Sequence, residues 1–99
     1  MPTRREQLLK LLEAHRDEIH ACGVRSLGLF GSCVRGEDSE DGDLDFVVEF
    51  NRKSFDAYMD LKFLLERLFE RRVDLVLADA IKPRIRESIL AEAVHAPGL

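Results

Sequence analysis

Apolar residues along this chain switch between helical spacing and strict alternation, and the switches predict its elements. Leu8, Leu11, Leu12, His15, Ile19 and Cys22 recur every three or four positions, which predicts one amphipathic helix over the N-terminal segment. Thr3 with Glu6 forms a T-x-x-E capping box to open it, and Gly23 is a natural stop. The run VRSLGLF then reads as a short strand ending at Gly31, and SCVR as a brief helical turn broken by Gly36. DLDFVVEF reads as a second strand. SFDAYMDLKFLLERLFERR follows as a helix, with Ser54 as its cap and Phe55, Tyr58, Met59, Leu61, Leu65, Leu68 and Phe69 on a broad apolar face. RVDLVLA is a third strand. KPRIRESILAEAVHA is a last helix, with Pro83 where a missing N–H costs little, Ile85, Ile89 and Ala93 as its buried seam, and Pro97–Gly98 as its end. The predicted order is α-β-α-β-α-β-α, an α/β (α+β) layer in which about three strands are flanked by helices.

Composition narrows what such a layer can do. Ninety-nine residues are expected to form a single domain, residues 1–99, with a modest core that a partner surface would help. Fifteen Lys and Arg against 19 Asp and Glu give a net charge of -4, which argues against broad binding of nucleic acid but leaves room for one nucleotide at a local site. No apolar run approaches the ~20 residues that span a bilayer, and the acid-studded N-terminus lacks a signal-peptide core, so a cytoplasmic protein without membrane contact is expected. Cys22 and Cys33 suit free thiols in a reducing compartment, and zinc-ligand spacing is missing. His15 has no second ligand one turn away and reads as a packed or boundary histidine.

The candidate chemistry lies in carboxylates. Alternation puts Leu44, Phe46, Val48 and Phe50 on one face of the second strand and Asp43, Asp45, Val47 and Glu49 on the other. The core keeps the first set, and the two aspartates share the opposite face with Cα atoms roughly 6–7 Å apart. Asp74 has the phase of Val76 in the third strand, and joins them if the two strands are neighbours. Hard oxygen donors of this kind select Mg²⁺ or Mn²⁺. Spacing alone also allows a plain reading: Asp43 as a turn residue, Asp45 as an edge charge and Asp74 as a strand-start charge. Glu37, Asp38, Glu40 and Asp41 read as solvated loop charges.

The Gly31–Ser32 turn follows a strand and opens a helical turn, where free N–H groups suit phosphate. Gly31 permits close backbone approach, Ser32 adds a donor and Arg35, one turn on, a cation. Taken alone, such a turn is an ordinary helix cap, and no Rossmann or P-loop motif is present. Cys33, at the mouth of this turn, reads as a tolerated small residue.

The ordered set is more specific than its pieces. GSCVRGEDSEDGDLDFVV followed by VDLVLAD resembles the polymerase-beta-like nucleotidyltransferase superfamily, and the short length and the IKPRIRESILAEAVHA ending narrow the resemblance to its minimal nucleotidyltransferase (MNT) family. The resemblance covers about Leu27 to Val94. It implies a mixed sheet flanked by helices. It implies that Gly31 and Ser32 hold the phosphates of ATP, that Asp43 and Asp45 hold two divalent ions, Mg²⁺ or Mn²⁺, and that Asp74 helps bind the catalytic ion and activates an acceptor hydroxyl. Arg35 would contact phosphate or brace the loop. The family commonly has serine before the first aspartate; Gly42 stands there, keeps the backbone N–H and loses a hydroxyl, which would weaken the grip on nucleotide. Family members commonly pair with a HEPN-domain protein, often a toxin RNase, and some are antitoxins that transfer AMP to a tyrosine of it. The resemblance thus implies a nucleotidyltransferase acting on a HEPN partner. The alternative is an antitoxin that neutralises its partner by contact alone. Transfer to a small molecule ranks below both, because enzymes of that kind carry an extra substrate domain.

Overall fold

The structure is a computed structural model that describes residues 4–31, 34 and 42–99. Two helices, α1 (Arg4–Ala14) and α2 (Arg16–Ala21), lead into strand β1 (Val24–Phe30). Strand β2 (Leu44–Phe50), helix α3 (Phe55–Phe69), strand β3 (Val73–Leu77), a 3₁₀ turn (Ala78–Ala80) and helix α4 (Pro83–Glu92) follow. The sheet has the order β1-β2-β3. β1 and β2 are antiparallel, while β2 and β3 are parallel with α3 as the crossover, so the sheet is mixed as expected.

One face of the sheet carries the main core. Leu27 and Leu29 of β1, Leu44, Phe46 and Val48 of β2, and Val73 and Leu75 of β3 pack against Leu8 and Leu12 of α1, Ile19 of α2, and Leu61, Leu64 and Leu65 of α3. Phe46 stacks on Phe69 with ring centroids 5.9 Å apart. Val24 joins this core although it lies an odd number of residues before Leu27. The register slips between Val24 and Ser26, and this bulge at Arg25 returns Val24 to the buried side.

The opposite face is divided along its length. At one end Val47 is buried with Ala78 and Ile81, and Phe30, Val76, Ile89 and Ala93 pack on them. Thus α4 and the 3₁₀ turn cover that end, and the aspartates of β2 and β3 occupy the other. Neither sheet edge is left bare. Val94 pairs with Leu29 beside β1 through N–H···O bonds of 2.8 and 2.9 Å. On β3, the Tyr58 hydroxyl donates to Leu75 O (2.6 Å), and Val73 N–H donates to Glu66 Oε2 (3.1 Å).

Several boundaries differ from the periodic pattern. The first helix is broken at His15, with ψ 17°. Leu12 and Ile19 are seven residues apart, so a continuous and a broken helix keep both on one side, and spacing cannot distinguish them. His15 is a boundary residue whose Nδ1 lies 2.9 Å from Glu18 Oε1. α3 ends at Phe69 rather than Arg72, because Glu70 adopts the left-handed conformation (φ 52°). α4 ends at Glu92 rather than Ala96, because Ala93 turns extended so that Val94 can pair with β1. The predicted seam of α4 is shallow: Ile89 and Ala93 are half-buried, but Ile85 is 45% exposed. Phe55 is also exposed, at the first turn of α3. The Thr3 cap and the SCVR turn fall outside the described residues, apart from Val34.

Ser54 caps α3 as expected, accepting from Ala57 N–H at 3.0 Å in an extended conformation. Ser54→Ala is expected to lower stability by about 1 kcal/mol, read as a shift in the urea midpoint, whereas Ser54→Asp is near neutral.

Candidate functional site

Asp45 sits in the central strand, and the register decides its neighbours. Across the antiparallel pair it faces Phe30, and across the parallel pair it faces Asp74. Adjacent strands lie about 4.8 Å apart, so two carboxylates of equal phase meet side by side. Asp43 precedes β2 by one residue, two positions from Asp45. Asp43 and Asp74 are exposed and Asp45 is half-buried. The strand pairing thereby brings Asp45 and Asp74 together at one end of the face opposite the main core, with Asp43 two positions before Asp45 in the chain.

Gly31 stands directly after β1, buried, with φ 82°. A side chain fails there for two reasons. The positive φ disfavours any L residue, and a Cβ would lie 3.1 Å from Asp45 Cγ and collide with Oδ2. The glycine therefore makes room for the aspartate carboxylate while turning the chain. Val34 N–H donates to Gly31 O at 3.1 Å. The predicted phosphate-binding partners Ser32 and Arg35 lie outside the described residues, as do Cys33 and the loop acids Glu37, Asp38, Glu40 and Asp41.

These donors suit a divalent ion in kind: they are carboxylate oxygens at or just before strand starts, beside a turn shaped around one of them. Among the described residues no three His, Cys, Asp or Glu side chains are already gathered as a cage.

Sequence reasoning missed the residues that brace this end. The Arg71 guanidinium donates from Nε (2.9 Å) and Nη2 (2.5 Å) to the carbonyl of Gly42, and Leu44 N–H donates to Arg72 O (3.0 Å). The helical pattern carries Arg71 and Arg72 into the end of α3, with Arg72 shared with the start of the third strand. The left-handed turn that releases them falls on Glu70, a residue type that does not announce such a conformation.

Other chemistry lies elsewhere. A cleft of about 310 Å³ lined by Arg25, Phe50, Lys53, Asp79, Arg86 and Leu90 sits at the opposite end of β2 and β3 from Asp45 and Asp74. In it the Lys53 ammonium donates to Asp79 and holds that exposed carboxyl below the usual range. Cys22 is a free, half-buried thiol; burial pushes its pKa up, and Asp60 and Glu18 add to the shift, so it is a poor nucleophile. No helix among the described residues is long and apolar enough to cross a membrane.

Comparison with known proteins adds to this geometry. Residues 8–95 match the family model described as a nucleotidyltransferase domain. A protein adenylyltransferase, MntA of Thermococcus cleftensis, is 40% identical over 92 residues, which cover 91% of this chain and 93% of the relative. A solved structure described as a minimal nucleotidyltransferase superposes with a TM-score of 0.71 at 37% identity, covering 87% of this chain and 93% of the other. A toxin–antitoxin crystal structure with AMP-PNP superposes with a TM-score of 0.68 at 22% identity, covering 98% of this chain and 75% of the other, a likeness of fold.

Proposed function

Since this chain belongs to the nucleotidyltransferase domain family, among its minimal members, we propose that it transfers AMP from ATP to a tyrosine hydroxyl of a HEPN-domain toxin RNase and so acts as the antitoxin of the pair. The chain is a nucleotidyltransferase of the protein-adenylyltransferase kind. The acceptor, the partner and the ion are the proposal. The observation that carries the assignment of the site is the pairing of Asp45 with Asp74 across adjacent strands, with Asp45 packed against the Gly31 turn.

In this reading Gly31 and Ser32 receive the triphosphate, and Arg35 adds a positive charge to it. Asp43 and Asp45 would hold two divalent ions, Mg²⁺ or Mn²⁺, with Asp74 completing the set for one. Bound there, such ions neutralise phosphate charge and lower the pKa of the attacking hydroxyl. Asp74 orients that hydroxyl and accepts its proton. The acceptor oxygen bonds to the α-phosphorus, the bond from that phosphorus to the bridging oxygen breaks, and pyrophosphate leaves. The partner supplies the rest of the acceptor environment. The named activity of the Thermococcus relative and the toxin–antitoxin description of the structural neighbour support a protein acceptor.

The test is incubation of this chain with ATP, Mg²⁺ and a candidate HEPN-domain partner, read by intact mass. The expected result is one added AMP on the partner, mapped to a tyrosine, and none when EDTA replaces Mg²⁺. An unmodified partner that is nevertheless inhibited by a folded variant lacking Asp43, Asp45 and Asp74 would identify a binding antitoxin instead.

A further inference from the structure

We infer that Arg71 is a positioning residue that fixes Asp43 for ion binding. The inference rests on the nucleotidyltransferase reading of the site and extends it to a residue outside the aspartates and the glycine turn.

Asp43 needs outside support. Its exposed side chain lies one residue before β2, and the pairing of β2 with β3 begins only at Leu44 with Val73. A residue just beyond a ladder is the first to fray. Here the backbone on both sides of Asp43 is tied to consecutive residues. The carbonyl before it, on Gly42, takes two N–H bonds from the Arg71 guanidinium, at 2.9 and 2.5 Å. The amide after it, on Leu44, donates to Arg72 O at 3.0 Å.

The chain is shaped to deliver that guanidinium. Glu70 ends α3 with φ 52°, the one positive φ outside glycine among the described residues. Glu66 accepts from Val73 N–H and fixes the far side of the same turn. Between these two points Arg71 is directed at Gly42. A planar guanidinium with two N–H groups on one carbonyl restrains that peptide more closely than a single flexible ammonium.

The contact belongs to the site more than to the core. Asp43 is exposed, and Gly42 is not among the core residues. Losing the Arg71 bonds should therefore loosen Asp43 more than it destabilises the fold.

Full-length wild-type protein, Arg71→Lys and Arg71→Ala would be compared by Mn²⁺ titration with AMP-PNP, free Mn²⁺ being read by electron paramagnetic resonance. Amide hydrogen exchange over residues 42–45 and thermal melts would accompany it. The expected result for Arg71→Ala is Mn²⁺ affinity weaker by about 10-fold, the scale of losing a group that orients a metal ligand. Exchange over 42–45 should be faster by about 10-fold with the melting temperature nearly kept. In turnover, the metal requirement should rise more than kcat falls, and Arg71→Lys should recover only part of the affinity. Unchanged Mn²⁺ affinity in a folded Arg71→Ala, unchanged exchange, or full rescue by lysine would each overturn the assignment. A wild-type protein that binds no Mn²⁺ with AMP-PNP would instead defeat the reading of the whole site, and this inference with it.

Discussion

Asp45→Asn is expected to lower AMP transfer by about 10³-fold or more, equal to about 4 kcal/mol of transition-state stabilisation. The residue occupies the middle of the site: Asp74 is its register partner on β3, and the Gly31 turn lies against its carboxylate. Asparagine keeps nearly the same volume, so the strand and its buried neighbours Leu44 and Phe46 stay in place. What is lost is a negative oxygen donor, which a divalent ion cannot replace with an amide at equal strength. Transfer of α-labelled phosphate from ATP to the partner measures the effect, with a thermal melt to establish folding. A folded Asp45→Asn with wild-type transfer would remove the aspartate from the site. Asp74→Asn, on an exposed position of the neighbouring strand, should show a loss of the same kind with even less effect on the melt.

The second large effect is expected from the smallest substitution. Gly31→Ala adds one methyl group, yet it meets two penalties at once. The backbone at φ 82° costs an alanine about 1–2 kcal/mol. The new Cβ would also overlap Asp45 Oδ2 and lie 3.1 Å from its Cγ, so the carboxylate has to move. The melting temperature should fall by roughly 5–15 °C, the scale for a small domain losing this much stability. Transfer should fall by about 100-fold or more if Asp45 acts as proposed, because a carboxylate displaced by even 1 Å is poorly oriented for that role. Gly23, at φ 88°, provides the control. Nothing lies within 4 Å of a Cβ there, so Gly23→Ala carries the backbone cost without the collision and should spare transfer. Equal losses of transfer in the two variants would show that strain alone, and not contact with Asp45, explains Gly31.

The contrast between these glycines marks how far the sequence could be read. Gly23 announces the end of a helix and Gly31 a turn after a strand, and both take a positive φ. That one of them forms a wall for an aspartate carboxylate depends on the β1–β2 register, which brings Phe30 opposite Asp45. The strands themselves were legible because β2 alternates cleanly; Leu44, Phe46 and Val48 are buried as the pattern demands. Alternation places Val47 on the other face, but its burial there depends on the 3₁₀ turn and α4 returning over it. The helix ends were less legible. His15 breaks the first helix without a glycine or proline, and Glu70 turns left-handed without being a glycine.

Gly42 illustrates the same division. Its lack of a side chain is a sequence property, legible without any structure. Its carbonyl is held by Arg71, 29 residues later, through a contact that no local pattern encodes.

The sequence by itself determined the elements, the family and the identity of the acidic residues. Periodicity and motif order are properties of neighbours along a chain, and backbone sterics convert them directly into helices and strands. Only the tertiary structure decided that β2 and β3 run parallel in the register that pairs Asp45 with Asp74, and that Arg71 reaches the peptide before Asp43. A parallel register depends on where the crossover helix α3 packs and on how its last turn ends, and both are set by burial of the shared core.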